Sequence, residues 1–267
     1  YSDVNAYAQA YAFNNYNRLF RGNRALQNSL SHTYNLRYFS FNLFNYTNIG
    51  ANLNYTRRID AVKTNTTLAG INQVSSPINF DSNFPDETFS ATGSFSKRVK
   101  RIQFKASTAL FFSKTNNTIN NEIRASESFT QNYTGSILSS FREFPNFEVG
   151  YRFINNDYDN GGVVQTFYTH RPFANVNIHF LKNFEFIADW EYYHYTNDKK
   201  TVENTYSFVN AKLYYQQKES TWESSVRATN MFNTKSLNND SFSDQFNITS
   251  QYLVMPRIVM FVVKYDL

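Results

Sequence analysis

Cysteine is absent from the 267 residues. A disulfide framework and a thiolate metal site are therefore both excluded, and the compartment is left open. No apolar run reaches the roughly 18 residues that a membrane-crossing helix needs, and the mean hydropathy is −0.55. A hydropathy profile would read such a chain as soluble. Glycine (8) and proline (5) are scarce beside 27 Phe and 20 Tyr. No glycine-rich phosphate loop and no zinc motif is found. His32, His170, His179 and His194 have no metal-ligand spacing, so each reads as a wall residue. No cofactor and no metal are expected. The net charge of +5 (pI about 9.2) is spread along the chain without a compact basic patch, and no nucleic-acid partner is expected. The sequence opens at Tyr1 directly on strand-like residues, and no signal-peptide pattern is read in it. Tyr is not a natural translation start, so the expectation is a processed, truncated or partial chain.

What the chain does have is alternation. In the last segment Val259, Phe261, Val263, Tyr265 and Leu267 share one parity, and all are apolar or aromatic. A strand has a side-chain period of two, so these residues line one face. Val259 to Leu267 covers about 27 Å, or about 20 Å along a membrane normal at a tilt of roughly 45°. The lipid-facing band of a bacterial barrel is about 25 Å tall. Arg257 keeps the lipid-facing parity but falls at the edge of that band, where a cation costs about 0–1 kcal/mol. On this segment alone, an ordinary edge strand of a soluble sheet is an equal reading.

Upstream the same pattern recurs. Ile49, Ala51, Leu53 and Tyr55 oppose Asn48, Gly50, Asn52, Asn54 and Thr56, and Arg57 ends the apolar row. A polar row of this kind inside a dry core would leave amides unpaired at roughly 1–3 kcal/mol each. A water-filled lumen removes that cost. Phe89 to Phe95, Ile102 to Phe112, Phe129 to Ile137, Phe147 to Phe153, Ala174 to Phe180, Phe184 to Tyr192, Val209 to Tyr215 and Trp222 to Ala228 alternate likewise. Strands are also read over Ser2 to Tyr16 and Leu30 to Phe39. Short turns at Arg98 to Arg101, Arg142 to Asn146, Leu181 to Asn183 and Lys218 to Ser220 alternate with longer polar segments. Those segments are Arg18 to Ser29, Asp60 to Glu87, Asn116 to Ser126, Asn155 to Gly162, Asn197 to Lys200 and Asn233 to Gln245. About twelve strands, with short turns on one rim and long loops on the other, predict an all-β fold: a transmembrane antiparallel β-barrel occupying residues 1–267.

Several stretches are similar to the barrel of TonB-dependent receptors (SusC-like or related). They are Tyr34-Asn35-Leu36-Arg37-Tyr38-Phe39, Asn48 through Tyr55 on to Arg57-Arg58-Ile59-Asp60, and Gly70 through Pro77. His170-Arg171-Pro172-Phe173, Ala228-Thr229-Asn230-Met231-Phe232-Asn233 and Met255-Pro256-Arg257 complete the set. The resemblance implies a 22-stranded barrel of which this chain is the C-terminal part, without its plug. It implies a place in the Gram-negative outer membrane, with the C-terminus on the periplasmic side. The implied partners are outer-membrane lipid and lipopolysaccharide, the missing N-terminal plug and barrel part, TonB through that part, and a surface lipoprotein. Leu267 departs from the family's usual aromatic ending, so the barrel-closing and assembly signal rests on Phe261, Val263 and Tyr265 with Leu267. Arg57 and Arg257 are read as membrane-interface cations.

No enzyme is expected. A lipid-edge phospholipase needs a serine beside an outward histidine, and His194 has the parity but no serine partner in the pattern. Glu185, Asp189 and Glu191 read as a solvated lumen face, in preference to paired catalytic carboxylates. Two roles stay open: part of a nutrient importer (for a glycan, peptide or metal chelate), or a stand-alone small barrel acting as a pore or scaffold.

Overall fold

The computed structural model describes residues 4–80, 83–120, 122–142, 145–218, 220–242 and 247–265. Seventeen strands follow a short 3-10 turn at Val4–Tyr7. The first six are β1 (Tyr11–Asn15), β2 (Arg18–Arg21), β3 (Leu30–Asn42), β4 (Thr47–Ile59), β5 (Val62–Ala69) and β6 (Asn72–Asn79). Next come β7 (Asp86–Val99), β8 (Ile102–Ile119), β9 (Glu122–Ser139), β10 (Asn146–Asp159), β11 (Val164–Phe180) and β12 (Phe184–Asn197). The chain ends with β13 (Glu203–Gln216), β14 (Trp222–Thr229), β15 (Ser236–Phe242), β16 (Asn247–Leu253) and β17 (Ile258–Tyr265). No α-helix occurs among the described residues, and no helix is long and apolar enough to cross a membrane.

Fifteen strands form one sheet and β15–β16 a separate hairpin. The body of the sheet is an antiparallel meander in the order β3-β4-β7-β8-β9-β10-β11-β12-β13-β14-β17. A smaller arm, β1-β2-β6-β5, joins it by a short parallel contact of Asn65 and Thr66 with Thr118 and Ile119 at the tip of β8. β3 and β17 each pair along one edge only among the described residues.

Tight turns close one rim. Lys100 takes a positive φ of 55° in the two-residue turn between β7 and β8, and Leu181 and Lys182 do so between β11 and β12. At the opposite rim the expectation of loops needs correction. Asn116 to Ser126 is not a loop, because β8 and β9 continue as 18-residue strands paired out to Ile119 and Glu122. β10 likewise runs on to Asp159. Within Asp60 to Glu87 the described residues form the β5–β6 hairpin and the start of β7; the hairpin turns at Gly70, whose φ of +62° a residue with a Cβ rarely adopts. Arg18 to Ser29 contains β2, and Asn233 to Gln245 contributes β15. Over the expected strand Ser2 to Tyr16, the residues described, from Val4 on, form the 3-10 turn followed by β1. The expected loops share one cause: Asn, Thr and Ser side chains suit turns by composition, yet here cross-strand partners hold them in ladders. The two rims therefore differ in how far strands project and not simply in loop length.

The sheet has almost no dry core. Only Leu26, Ala61, Phe80, Phe167 and Tyr195 are buried hydrophobic residues among those described. Leu26, Ala61 and Phe80 lie in or beside the small arm, and Phe167 stacks on Tyr195 at 5.5 Å where β11 and β12 approach their outer ends. Such a sheet must be stabilised by something other than interior packing.

Candidate functional site: two faces of one sheet

Directly paired residues on antiparallel strands project to the same face. The register therefore decides whether the alternating rows of separate strands add up. They do. Leu36, Leu53, Ala91 and Leu110 are successive partners. Ile137, Val149, Ala174, Trp190 and Val209 form another row, and Ile178, Phe186, Leu213, Val226 and Phe261 a third. Every apolar row of the meander lands on one face, hereafter the apolar face. No described residue covers it: Val149 is 53%, Val259 66% and Phe261 70% exposed.

Aromatic rows border this face. Toward the projecting rim Tyr34, Tyr55, Phe89, Phe112 and Phe129 are partners across five strands. Toward the turns lie Phe180, Phe184 and Tyr215, with ring centroids 5.4 and 4.7 Å apart, and then Trp222 against Tyr265 at 4.7 Å. Membrane barrels carry aromatic girdles at both interfaces in this arrangement. One pair beyond the first aromatic row comes a charged row: His32, Arg57, Glu87, Lys114, Glu127 and Asp159. Arg57 Nε lies 3.7 Å from Glu87, and Lys114 pairs with Glu127. Apolar, aromatic and charged residues thus succeed one another along the strands in layers.

The opposite face is mainly polar. Asn52, Thr92, Ala109 and Asn132 are partners, as are Gly50, Ser94, Ser107, Thr134 and Arg152. A recess of about 530 Å³ on this face is bounded by Arg37 and Phe39 on β3 and by Arg152 on β10. Gly50 keeps its floor low, since a Cβ there would sit 2.9 Å from Ser94 Oγ. A neighbouring recess of about 240 Å³ holds Arg152, Arg171, Asp189 and Glu191. The acidic row is engaged: Glu191 pairs with Arg171, Asp189 accepts from Asn210 Nδ2 at 2.7 Å, and Glu185 accepts from Asn177 Nδ2 at 2.8 Å. The face is not uniformly polar, since Phe39, Phe111 and Met260 also project from it.

The two long excursions are tied down by buried polar nodes. Lys63, with 5% of its side chain exposed, pairs with Asp86 and donates to Asn116 O. Asp86 also accepts from Asn116 N at 3.1 Å, so β5 is fastened to β7 and β8. Asn230 is buried at 6%, and its amide donates to the carbonyls of Thr234 and Met255, both at 2.9 Å. Its Oδ1 accepts from Thr234 N, and its own N–H donates to Asn210 Oδ1. One asparagine thereby clamps both ends of the 230–257 excursion. The sequence pattern assigned these nodes no role, because all of their partners except Thr234 lie 20 to 53 residues away.

Phe261, Val263 and Tyr265 lie on the apolar face of β17, opposite Val226, Ser224 and Trp222; Leu267 is outside the described residues. Arg57 stands in the charged row. Arg257 precedes β17, is exposed, and its N–H donates to Asn233 Oδ1 at 3.1 Å. The histidines are less separate than their spacing suggests. His170 and His194 are partners on the apolar face with rings 5.9 Å apart, and His194 lies 3.1 Å from Glu203. No group of three side chains able to hold a metal occurs among the described residues. No protein-family model, curated protein or solved structure matches the chain.

Proposed function

We propose that the eleven-strand meander is part of the wall of a transmembrane β-barrel in the outer membrane of a Gram-negative bacterium. The carrying observation is the uncovered apolar face bounded by aromatic rows. Eleven strands spaced about 4.8 Å apart, with a belt about 20 Å high, present on the order of 1,000 Å². A soluble monomer rarely exposes more than about 300–600 Å² of contiguous apolar surface. Hydrocarbon is the solvent that removes this cost, and the mainly polar reverse face then borders water.

Within that reading the chain serves a TonB-dependent receptor that imports a nutrient, the role suggested by the family resemblance of its strands. Strand direction favours a larger barrel over a stand-alone one. In an antiparallel meander of eleven, the first and last strands run parallel, so β3 and β17 could close on each other only through a parallel seam. Single-chain bacterial barrels have even strand numbers and antiparallel seams. An odd number of further strands restores that parity, and eleven more make 22. The full-length protein, kept folded in detergent, should migrate differently on a gel before and after boiling. Identical mobility in both states would overturn the barrel.

A further inference from the structure

The two rims of the meander differ in how their charges are balanced. In the charged row at the projecting rim, Arg57 faces Glu87 and Lys114 pairs with Glu127. The turn rim of β3, β4, β7, β8 and β9 has no such balance. The cations are spread along the chain, but the carboxylates are not: no Asp or Glu occurs from Val4 to Ile59, from Thr88 to Asn121 or from Ser128 to Arg142. β3, β4 and β8 therefore lack a carboxylate altogether, and those of β7 and β9 stand toward the projecting rim. Into this stretch the β7–β8 turn sets Lys97, Arg98, Lys100 and Arg101, all of them exposed. The salt bridges of the described residues include none of the four. Arg98 has the parity of the polar face, where its Nη2 lies 3.5 Å from Gln103 Oε1. Lys97 has the opposite parity. Its partners Thr47 and Phe104 belong to the apolar face, and Phe104 is in turn the partner of Ile137. Lys97 is thus turned away from anything that a barrel would enclose. At about 3.4 Å per residue, Lys97, Lys100 and Arg101 fall within about 10 Å of one another along the strand axis.

We infer that this hairpin end binds the phosphodiester headgroup of an anionic phospholipid, such as phosphatidylglycerol, in the leaflet that borders the turn rim. Lys97, Lys100 and Arg101 stand at the edge of the apolar belt, at the depth where lipid phosphates lie. Their stems can follow apolar surface while the charged heads reach the headgroup layer. A cation near an anionic membrane surface gains about 1 kcal/mol, or about fivefold in affinity. The projecting rim carries its own counter-charges and has less to gain from a lipid phosphate. The assignment rests on the barrel reading, which places the apolar face in hydrocarbon.

The test places a reporter tryptophan at each rim of the full-length protein. Phe104→Trp stands beside Lys97, and Phe112→Trp lies in the aromatic row of the projecting rim. Each variant is reconstituted into phosphatidylcholine vesicles containing dibrominated phosphatidylglycerol or dibrominated phosphatidylcholine. Bromine quenches a neighbouring tryptophan, and the increment over the parent isolates the reporter. At Phe104→Trp, phosphatidylglycerol should be preferred about fivefold or more at low salt, with the preference shrinking at high salt. At Phe112→Trp the two lipids should quench alike. Adding Lys97→Gln, Lys100→Gln and Arg101→Gln together should abolish the preference at Phe104→Trp. No preference at either reporter, the same preference at both, or one that survives the triple substitution would each overturn the assignment. So would cosedimentation with purified peptidoglycan that needs these three cations while the lipid preference is absent, since they would then serve the cell wall. Gel mobility before and after boiling separates the two failures. A barrel that shifts but shows no lipid preference refutes the headgroup site alone, and a protein that does not shift refutes the barrel.

Discussion

Ala91 offers a test in which lipid and a packed core give opposite answers. It lies near the middle of the apolar row of β7, between its partners Leu53 and Leu110. Its chain neighbour Ser90 faces the other way, between Asn54 and Phe111. An arginine near the bilayer midplane costs about 2–4 kcal/mol, so Ala91→Arg should lower the folding equilibrium roughly 30- to 800-fold. Ser90→Arg puts the same charge on the wet face and should change stability by no more than about 0.5 kcal/mol. Ala91→Leu completes the series. Against hydrocarbon the added carbons are neutral or stabilise by up to about 2 kcal/mol. In a close-packed interior the same enlargement costs about 1–3 kcal/mol. Reversible guanidinium unfolding of the full-length protein in lipid vesicles, followed by tryptophan emission, reads all three. Equal losses for the two arginine variants, or a destabilised leucine variant, would refute the assignment of faces.

Two further outcomes concern the region beyond the belt. Lys63→Ala leaves Asp86 without its buried cation, a change that costs about 3–5 kcal/mol where such pairs are fully enclosed. The loss should be local: faster proteolysis within residues 60–85 while the boiling-dependent gel shift persists. The second outcome depends on pH. The hydrogen bond to Glu127 raises the Lys114 pKa above the usual lysine value of 10.5, against an opposing effect of desolvation. A raised lysine pKa adds stability that is complete below the unfolded value and is lost as pH climbs through the folded one. Lys114→Gln should therefore be less stable than the parent below about pH 10, and the two unfolding curves should converge at higher pH.

Which residues share a face was legible in the sequence, because period-two alternation depends only on neighbours within one strand. Tyr34, Leu36 and Tyr38 or Phe184, Phe186 and Ala188 could be sorted without knowing what they pair with. That the sorted rows of different strands fall together depends on register, which is fixed by partners dozens of residues away, such as Leu53 with Ala91. The outer rim was misread for the same reason. Asn116 to Ile119 and Glu122 to Ser126 carry Asn, Thr, Ser and charged residues that suit a loop, yet each stays in the ladder because the other strand is there to pair. Polar alternation without an apolar side gives no periodic signal. The recess between Arg37 and Arg152 was invisible for a third reason. The two residues are 115 positions apart, and only the run of intervening strands brings them to one surface.

The register carries one more quantity, the strand tilt. A single row runs through Ala51, Gly93, Thr108, Tyr133, Phe153, His170, His194 and Thr205. On β4 this row stands four residues from the turn-side end at Thr47, and on β13 it stands eleven residues from Gln216. The turn rim therefore falls away by seven residues over seven strand steps, one residue per strand. With about 3.4 Å per residue and about 4.8 Å between strands, the strands lean about 35° from the normal to that rim. A flat stack with level turns would give no lean, whereas membrane barrels require about 35–45°. Polarised infrared spectra of the full-length protein in oriented bilayers should report a mean strand tilt in that interval. A mean tilt near zero would mean that the turn rim does not lie along a membrane surface, and the belt height taken from it would be wrong as well.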